Sequence, residues 1–320
     1  MAGRKRAEKP QSEPVAAELP ARIAPMLADS IRDPFDSPKH LYEIKWDGTR
    51  CVAFVDRDGL RLQNRRYFEL RERYPELECL TKLSTGTVLD GEIVVLENGK
   101  PSFNKLLQRD QQREPKKIAM LAKRLPATYI AFDTLFDAGV NVMREPLIER
   151  KKRLVAAIET LNNPHVIAPD HVIEKGVAFF EAVAQAGLEG VMAKRLDKAY
   201  TPGKRSANWV KIKVAHEEEF DIIGFTQRAG AAVASALVLG RQRDGHWVCY
   251  GKVGSGFTEA QRAAFYEQLA DAPPLTNPPK DANCPPDAIW RLTGLRCRVQ
   301  FFEELDTGAL RAPVFRGLVE

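Results

Sequence analysis

The amino-acid sequence predicts an α+β protein of two domains, the second a small Greek-key barrel of the OB type. Three observations carry that prediction. A chain of 320 residues has room for two domains. Strand-like and helix-like stretches alternate without a regular βαβ rhythm, which speaks against a doubly wound sheet. Four or five strand-like stretches and a single helical one then fall within the last third of the chain, a set that fits a small barrel, although a small sandwich would read similarly.

Residues 1–20 are polar, are broken by Pro10, Pro14 and Pro20, and read as a disordered basic arm. From residue 21 the pattern changes. Stretches 41–46, 51–56, 59–63, 88–96 and 127–136 are rich in Val, Ile, Leu, Phe and Tyr and read as strands. Stretches 146–161 and 176–186 carry apolar residues at helical spacing. The acidic run His216-Glu217-Glu218-Glu219 reads as a linker or its rim, and sets the expected boundary between domains at 21–215 and 216–320. Beyond it come strand-like stretches 220–227, 234–242, 246–252 and 296–303, and a proline-rich loop over 273–286. The helix expected over 258–270 opens on Thr258 with Gln261 three residues later, a capping-box pattern. No internal repeat is visible.

Composition excludes several classes. No apolar run approaches the roughly 20 residues of a membrane span, and the charged N-terminus has no apolar core behind it, so no secretory signal is read. The expectation is a cytoplasmic, nucleoid-associated protein that is a monomer. Five scattered cysteines without a C-x-x-C pair argue against a zinc ribbon or a disulfide framework. The net charge of +5 is mild, but it is unevenly spread. Residues 191–213 carry seven basic side chains against Asp197 alone, and residues 103–124 carry seven against Asp110 and Glu114. Such surpluses suit a polyanion; they equally suit two solvated basic faces.

Five patches can bear chemistry. Lys45 ends an apolar strand and precedes an Asp-Gly turn, and the strand period puts Glu43 on the same face. A lysine in an apolar, desolvated setting becomes a nucleophile, though a bare K-x-D-G also describes an edge-strand lysine beside a hairpin. Asp90 and Glu92 share a strand face and could hold a ribose hydroxyl or a hard cation, unless Asp90-Gly91 is simply a turn. Phe132, in Tyr129-Ile130-Ala131-Phe132-Asp133, could stack on a base or fill the core. Leu188-Glu189-Gly190-Val191-Met192-Ala193-Lys194 follows. Finally, Trp209, Lys211 and Lys213 alternate with Val210 and Ile212, so both lysines share one face and could neutralise a phosphate.

Each patch is weak alone, but their order and separation resemble the covalent nucleotidyltransferase superfamily of polynucleotide ligases and capping enzymes. Within it the chain is similar to bacterial ATP-dependent DNA ligases, including the ligase module of the end-joining enzyme ligase D. The likeness runs from Pro25-Met26-Leu27 to Leu318. It implies a nucleotidyltransferase (ATP-grasp-like) adenylation domain followed by an OB-fold domain, and it makes Lys45 the residue that forms a lysyl-AMP. It further implies that Glu43 reads the adenine amino group, Phe132 stacks on the ring, and Arg50, Arg65 and Glu92 hold ribose or phosphate. Lys211 and Lys213 would meet the transferring phosphate, and Glu189 with Glu92 would position Mg²⁺ or Mn²⁺. Nicked double-stranded DNA is the implied substrate and bacterial Ku an implied partner.

The sequence departs from the resemblance at its end. Many relatives finish with Gly-Leu-Arg-x-Asp-Lys; this chain reads Arg316-Gly317-Leu318-Val319-Glu320. Either those residues lie beyond this sequence, or Arg311 or Arg316 replaces them, or self-adenylation is slow. Two rivals remain: an RNA-directed or GTP-using member of the superfamily, and a non-catalytic nucleic-acid-binding module.

Overall fold

The computed structural model describes residues 18–319 apart from 229, 303 and 306. The expected arm therefore lies, up to residue 17, outside the described residues, as does the expected strand end at 303. The chain divides into two compact units, Met1–Lys213 and Val214–Glu320, two residues earlier than the acidic run suggested.

The first unit is built on two sheets. One has the strand order Leu27–Ile31, Arg205–Lys213, Gly190–Arg195, Ser37–Ile44, Val172–Glu174. The other runs Gly59–Asn64, Thr49–Asp56, Thr87–Glu97, Ala127–Asp137, Val140–Asn141, with two short strands added at its sides. Strand parity sorts the side chains between two cores. Val52, Phe54, Val88 and Phe132 of the second sheet meet Trp209 of the first, so one core lies between the sheets. Cys51, Ala53, Val55 and Leu89 point the other way, onto Leu154, Ile158 and Leu161 of the helix Leu147–Leu161. The sheet strands read from the sequence are present. The helices Phe103–Asp110 and Pro115–Arg124 are additions, because each is short and buries only two side chains.

One expectation is corrected here and one alternative is ruled out. Arg109 does not belong to a basic surface: its side chain is 1% exposed. Its guanidinium holds Glu76 at 2.7 and 3.0 Å and donates to the carbonyls of Arg73 and Leu125. The Asp90-Gly91 pair is no turn either, but the middle of the strand Thr87–Glu97. Gly91 is there because a Cβ would meet the Tyr129 ring at 2.5 Å and the Ile130 carbonyl at 2.6 Å. Removing Glu76 should be costly, since it strands a buried guanidinium and the Ala127 N–H that it also accepts. We expect Glu76→Ala to lose about 3–5 kcal/mol in urea unfolding, and a paired Glu76→Met/Arg109→Met replacement to lose far less.

The second unit is an antiparallel sheet in the order His246–Val253, Ala234–Arg243, His216–Gln227, Arg296–Phe301, Val314–Val319. Register shifts near Ile222–Gly224, Val238–Gly240 and Arg298–Val299 curl it. Its two ends meet, where Phe315 N–H donates to the Ser255 carbonyl at 2.9 Å and Leu310 N–H to Tyr250 at 3.3 Å. This closure gives the OB-type barrel around Phe220, Leu237, Tyr250, Val299 and Phe315. The helix Glu259–Ala270 carries the capping box that Thr258 and Gln261 announce, with Gln261 N–H on Thr258 Oγ1 at 3.2 Å. The acidic run is the rim of the boundary and not a linker itself. Glu217, Glu218 and Glu219 open the strand His216–Gln227, where they face Arg298, Arg241 and Arg296 of neighbouring strands.

Candidate active site

The site is a cleft in the first unit, where the strand Ser37–Ile44 ends and the two sheets face one another. Lys45 follows that strand directly, and its N–H donates to the Gly190 carbonyl at 2.8 Å. Gly190 itself has φ +151, and a Cβ there would lie 2.2 Å from the Ile212 carbonyl. Only glycine allows the strand Gly190–Arg195 to approach so closely. The turn into that strand puts Glu189 against Lys45.

Lys45 was expected in a largely apolar setting, and the structure corrects this. Its ammonium is ion-paired with Glu189, whose other oxygen takes Lys213 at 2.9 Å. Burial alone would push the Glu189 carboxyl up, but Lys45 and Lys213 outweigh it and hold the group below the usual carboxylate range. Lys211 lines the cleft beside Lys45 and Arg205. Burial first, and then Lys213, Lys45 and Arg205, lower its pKa. Lys45 and Lys213 on Glu189, with Lys211 and Arg205 in the adjoining cleft wall, outnumber that carboxylate and form a place for an anion.

The remaining expected residues line the same cleft: Glu43, Arg50, Arg65, Glu92 and Phe132. Arg50 is held by Asp90 through paired bonds of 2.6 and 2.7 Å, and its guanidinium lies 4.6 Å from the Phe132 ring centroid. Asp90, fully buried, also accepts the Tyr200 hydroxyl at 2.6 Å. It is therefore Arg50's anchor rather than half of a ribose- or metal-binding pair. Glu92 keeps that possibility. Burial pushes its carboxyl up to about 8 despite Arg50 and Lys45, with Asp90 and Asp47 adding repulsion. Such a group gains from an arriving cation. Phe132 is 8% exposed and belongs at once to the intersheet core and to the cleft wall, edge-on to Trp209 at 6.0 Å. Arg65 is exposed at the rim.

Sequence reasoning missed Lys151 and gave Lys194 no role of its own. Lys151 and Lys194 both ion-pair with Glu43, and all three side chains are 2% exposed. Burial would raise the Glu43 carboxyl, but the two lysines hold it below the usual range. Lys151 sits in a Lys-Lys-Arg run that reads as a polar helix face, so no local signal marked it. Lys194 was in view at the end of Glu189–Lys194, but nothing in its spacing named Glu43 as its partner. No group of three or more His, Cys, Asp or Glu side chains with metal-site geometry occurs among the described residues. A hard cation bound through one or two carboxylates, substrate phosphates and water does not require one; Glu92, raised by burial, lines the cleft, whereas both oxygens of Glu189 are held by lysines.

Comparison with known proteins places this geometry in a family. A family model described as "ATP dependent DNA ligase domain" matches residues 25–213, and one described as "ATP dependent DNA ligase C terminal region" matches residues 230–320. The multifunctional non-homologous end joining protein LigD of Mycolicibacterium smegmatis is 32% identical over 93% of this chain, which spans 38% of that relative's length. DNA ligase C1 of the same organism is 32% identical over 79% of this chain and 74% of its own. The crystal structure of the ligase domain of M. tuberculosis LigD is 29% identical, covers 93% of this chain and 95% of its own, and aligns with a TM-score of 0.53. A mycobacterial DNA ligase D complexed with ATP and MES is 30% identical, with coverage of 93% and 95% and a TM-score of 0.54. No helix among the described residues is long and apolar enough to cross a membrane. The chain belongs to the ATP-dependent DNA ligase family.

Proposed function

We propose that this chain seals breaks in double-stranded DNA that carry a 5′-phosphate beside a 3′-hydroxyl, using ATP and a lysyl-AMP on Lys45, in DNA repair and end joining. The observation that carries the reading is the convergence of Lys45, Glu189, Lys211 and Lys213 at one end of a cleft walled by Phe132 and Glu43. In the first step Lys45 Nζ forms a bond to the α-phosphorus and the bond to pyrophosphate breaks. Glu189, in contact with that nitrogen, is placed to take the proton it must lose. Lys211 and Lys213 meet the charge on the transferring group. AMP then passes to the 5′-phosphate, and the 3′-hydroxyl displaces it. Glu43 reads the adenine amino group, Phe132 borders the base, and Arg50, Arg65 and Glu92 hold ribose and phosphate. A divalent cation, Mg²⁺ or Mn²⁺, would be held by Glu92 and Glu189 and would neutralise phosphate charge. Bacterial Ku is the proposed partner for end joining, an assignment that rests on the LigD relatives.

Labelled ATP and GTP, offered separately, test the reading: an AMP adduct is expected, and a GMP adduct without an AMP adduct overturns it. Nicked DNA against nicked RNA then decides the substrate. For Phe132→Ala we expect mainly weaker ATP binding, read as a rise in KM. Truncation also opens the core between the sheets, so Phe132→Leu, which fills the core without an aromatic face, should repeat the effect. Normal ATP affinity in both variants would return Phe132 to the core alone.

A further inference from the structure

Glu43 carries more positive charge than a structural ion pair needs. Lys151, from the helix Leu147–Leu161, pairs with its Oε1, and Lys194, from the strand Gly190–Arg195, meets Oε2 at 2.6 Å. The nearby Arg150–Asp133 pair is balanced and fully buried, so it does not neutralise the extra lysine. Part of the imbalance is met by aromatic faces, since the Lys194 ammonium lies 4.2 Å from the Phe132 centroid and 4.4 Å from that of Trp209. Lys151 Nζ also donates to the Phe132 carbonyl at 3.4 Å. Burying an unmatched cation is costly, and one lysine would have sufficed to balance the carboxylate. The second does something the first cannot: with both oxygens anchored, the carboxylate cannot rotate about its last, soft torsion.

The position of this triad gives that rigidity a use. Glu43, Lys194, Phe132 and Trp209 line the cleft, whereas Lys151 does not and reaches it through Glu43 and the Phe132 carbonyl. A carboxylate gripped by two cations accepts hydrogen bonds and has no proton to give. Adenine offers an amino donor where guanine offers the O6 acceptor. A fixed, acceptor-only carboxylate bonds the first and repels the second, while one free to turn could swing away from O6, and a neutral one could offer it a proton. We propose that Lys151 and Lys194 are positioning residues that lock Glu43 as a hydrogen-bond acceptor and thereby set the choice of adenine over guanine nucleotides. The inference rests on the reading of Glu43 as the group that meets the base.

The test is adduct formation by the full chain with labelled ATP and labelled GTP. Lys151→Met keeps the side chain's length and leaves a balanced Glu43–Lys194 pair, so it should fold, which a urea midpoint verifies. At saturating ATP its AMP adduct should form at close to the wild-type rate. Its KM for ATP should rise, and its preference for ATP over GTP should fall by at least about tenfold. The double variant Lys151→Met/Lys194→Met, which leaves Glu43 without a cation, should lose more of the preference, and Lys151→Arg should retain it. Folded Lys151→Met and double variants that discriminate like the wild type overturn the proposal alone. If Lys151→Met fails to fold, Lys194→Met, which leaves a balanced Glu43–Lys151 pair, decides on the same measurement. A wild-type chain that forms no AMP adduct removes the underlying reading instead, and the proposal with it.

Discussion

Lys45→Ala should abolish the AMP adduct and the sealing of nicks that are not already adenylylated, a loss on the order of 10⁴-fold or more, as befits a covalent nucleophile. The structure makes this a clean test of chemistry. The Lys45 side chain is 18% exposed, so its truncation opens no core. Glu189 keeps Lys213 at 2.9 Å, so no carboxylate is left without a cation. The backbone bond from Lys45 N–H to Gly190 does not involve the side chain. A folded variant that cannot adenylylate itself, but still joins a nick supplied with AMP on its 5′-phosphate, would place the defect in the first step alone. An unchanged adduct on the variant would remove Lys45 from the mechanism.

What the sequence disclosed and what it hid follow from the range of the forces involved. Strand parity is local, and it correctly put Trp209, Lys211 and Lys213 on one side with Val210 and Ile212 on the other. The capping box at Thr258 is local too, and it is present. The candidate residues lie far apart along the chain, yet the fold gathers them around one cleft, with Glu189 and Lys213 tied to Lys45. Errors came wherever a charged group's partner sits on a distant element. Arg109 looked like one of several surface bases until Glu76 and three carbonyls enclosed it. Glu217–Glu219 looked like solvated linker because the arginines facing them come from 241, 296 and 298. Lys45 looked set among apolar groups because Glu189 lies 144 positions along the chain. Lys151 gave no sign at all, since its partner Glu43 is over a hundred residues earlier and the two residues after it, Lys152 and Arg153, are exposed. Periodicity tells which way a side chain points, but not what charge awaits it.

Lys211→Ala is expected to give the second-largest loss, about 10²–10³-fold in the rate of adduct formation, the range seen when one preorganised donor to a transition-state charge is removed. The reason lies in the uneven company Lys211 keeps. Lys45 and Lys213 share Glu189, whereas Lys211 lines the cleft with its pKa lowered by burial and by Lys213, Lys45 and Arg205. Its charge is therefore costly to hold beside Lys213, Lys45 and Arg205, and gains from a phosphate. A sign follows. Phosphate binding favours the protonated lysine, so ATP affinity should fall as pH rises through the lowered titration of Lys211, ahead of an ordinary lysine near about 10.4. Lys211→Arg, which stays charged over that range, should keep its affinity while losing some rate, because a planar fork does not replace a point charge. ATP binding followed against pH in the wild type and this variant checks the argument. An alkaline fall of the same size in both would mean that another group governs it, and would leave Lys211 as one more cation on the wall.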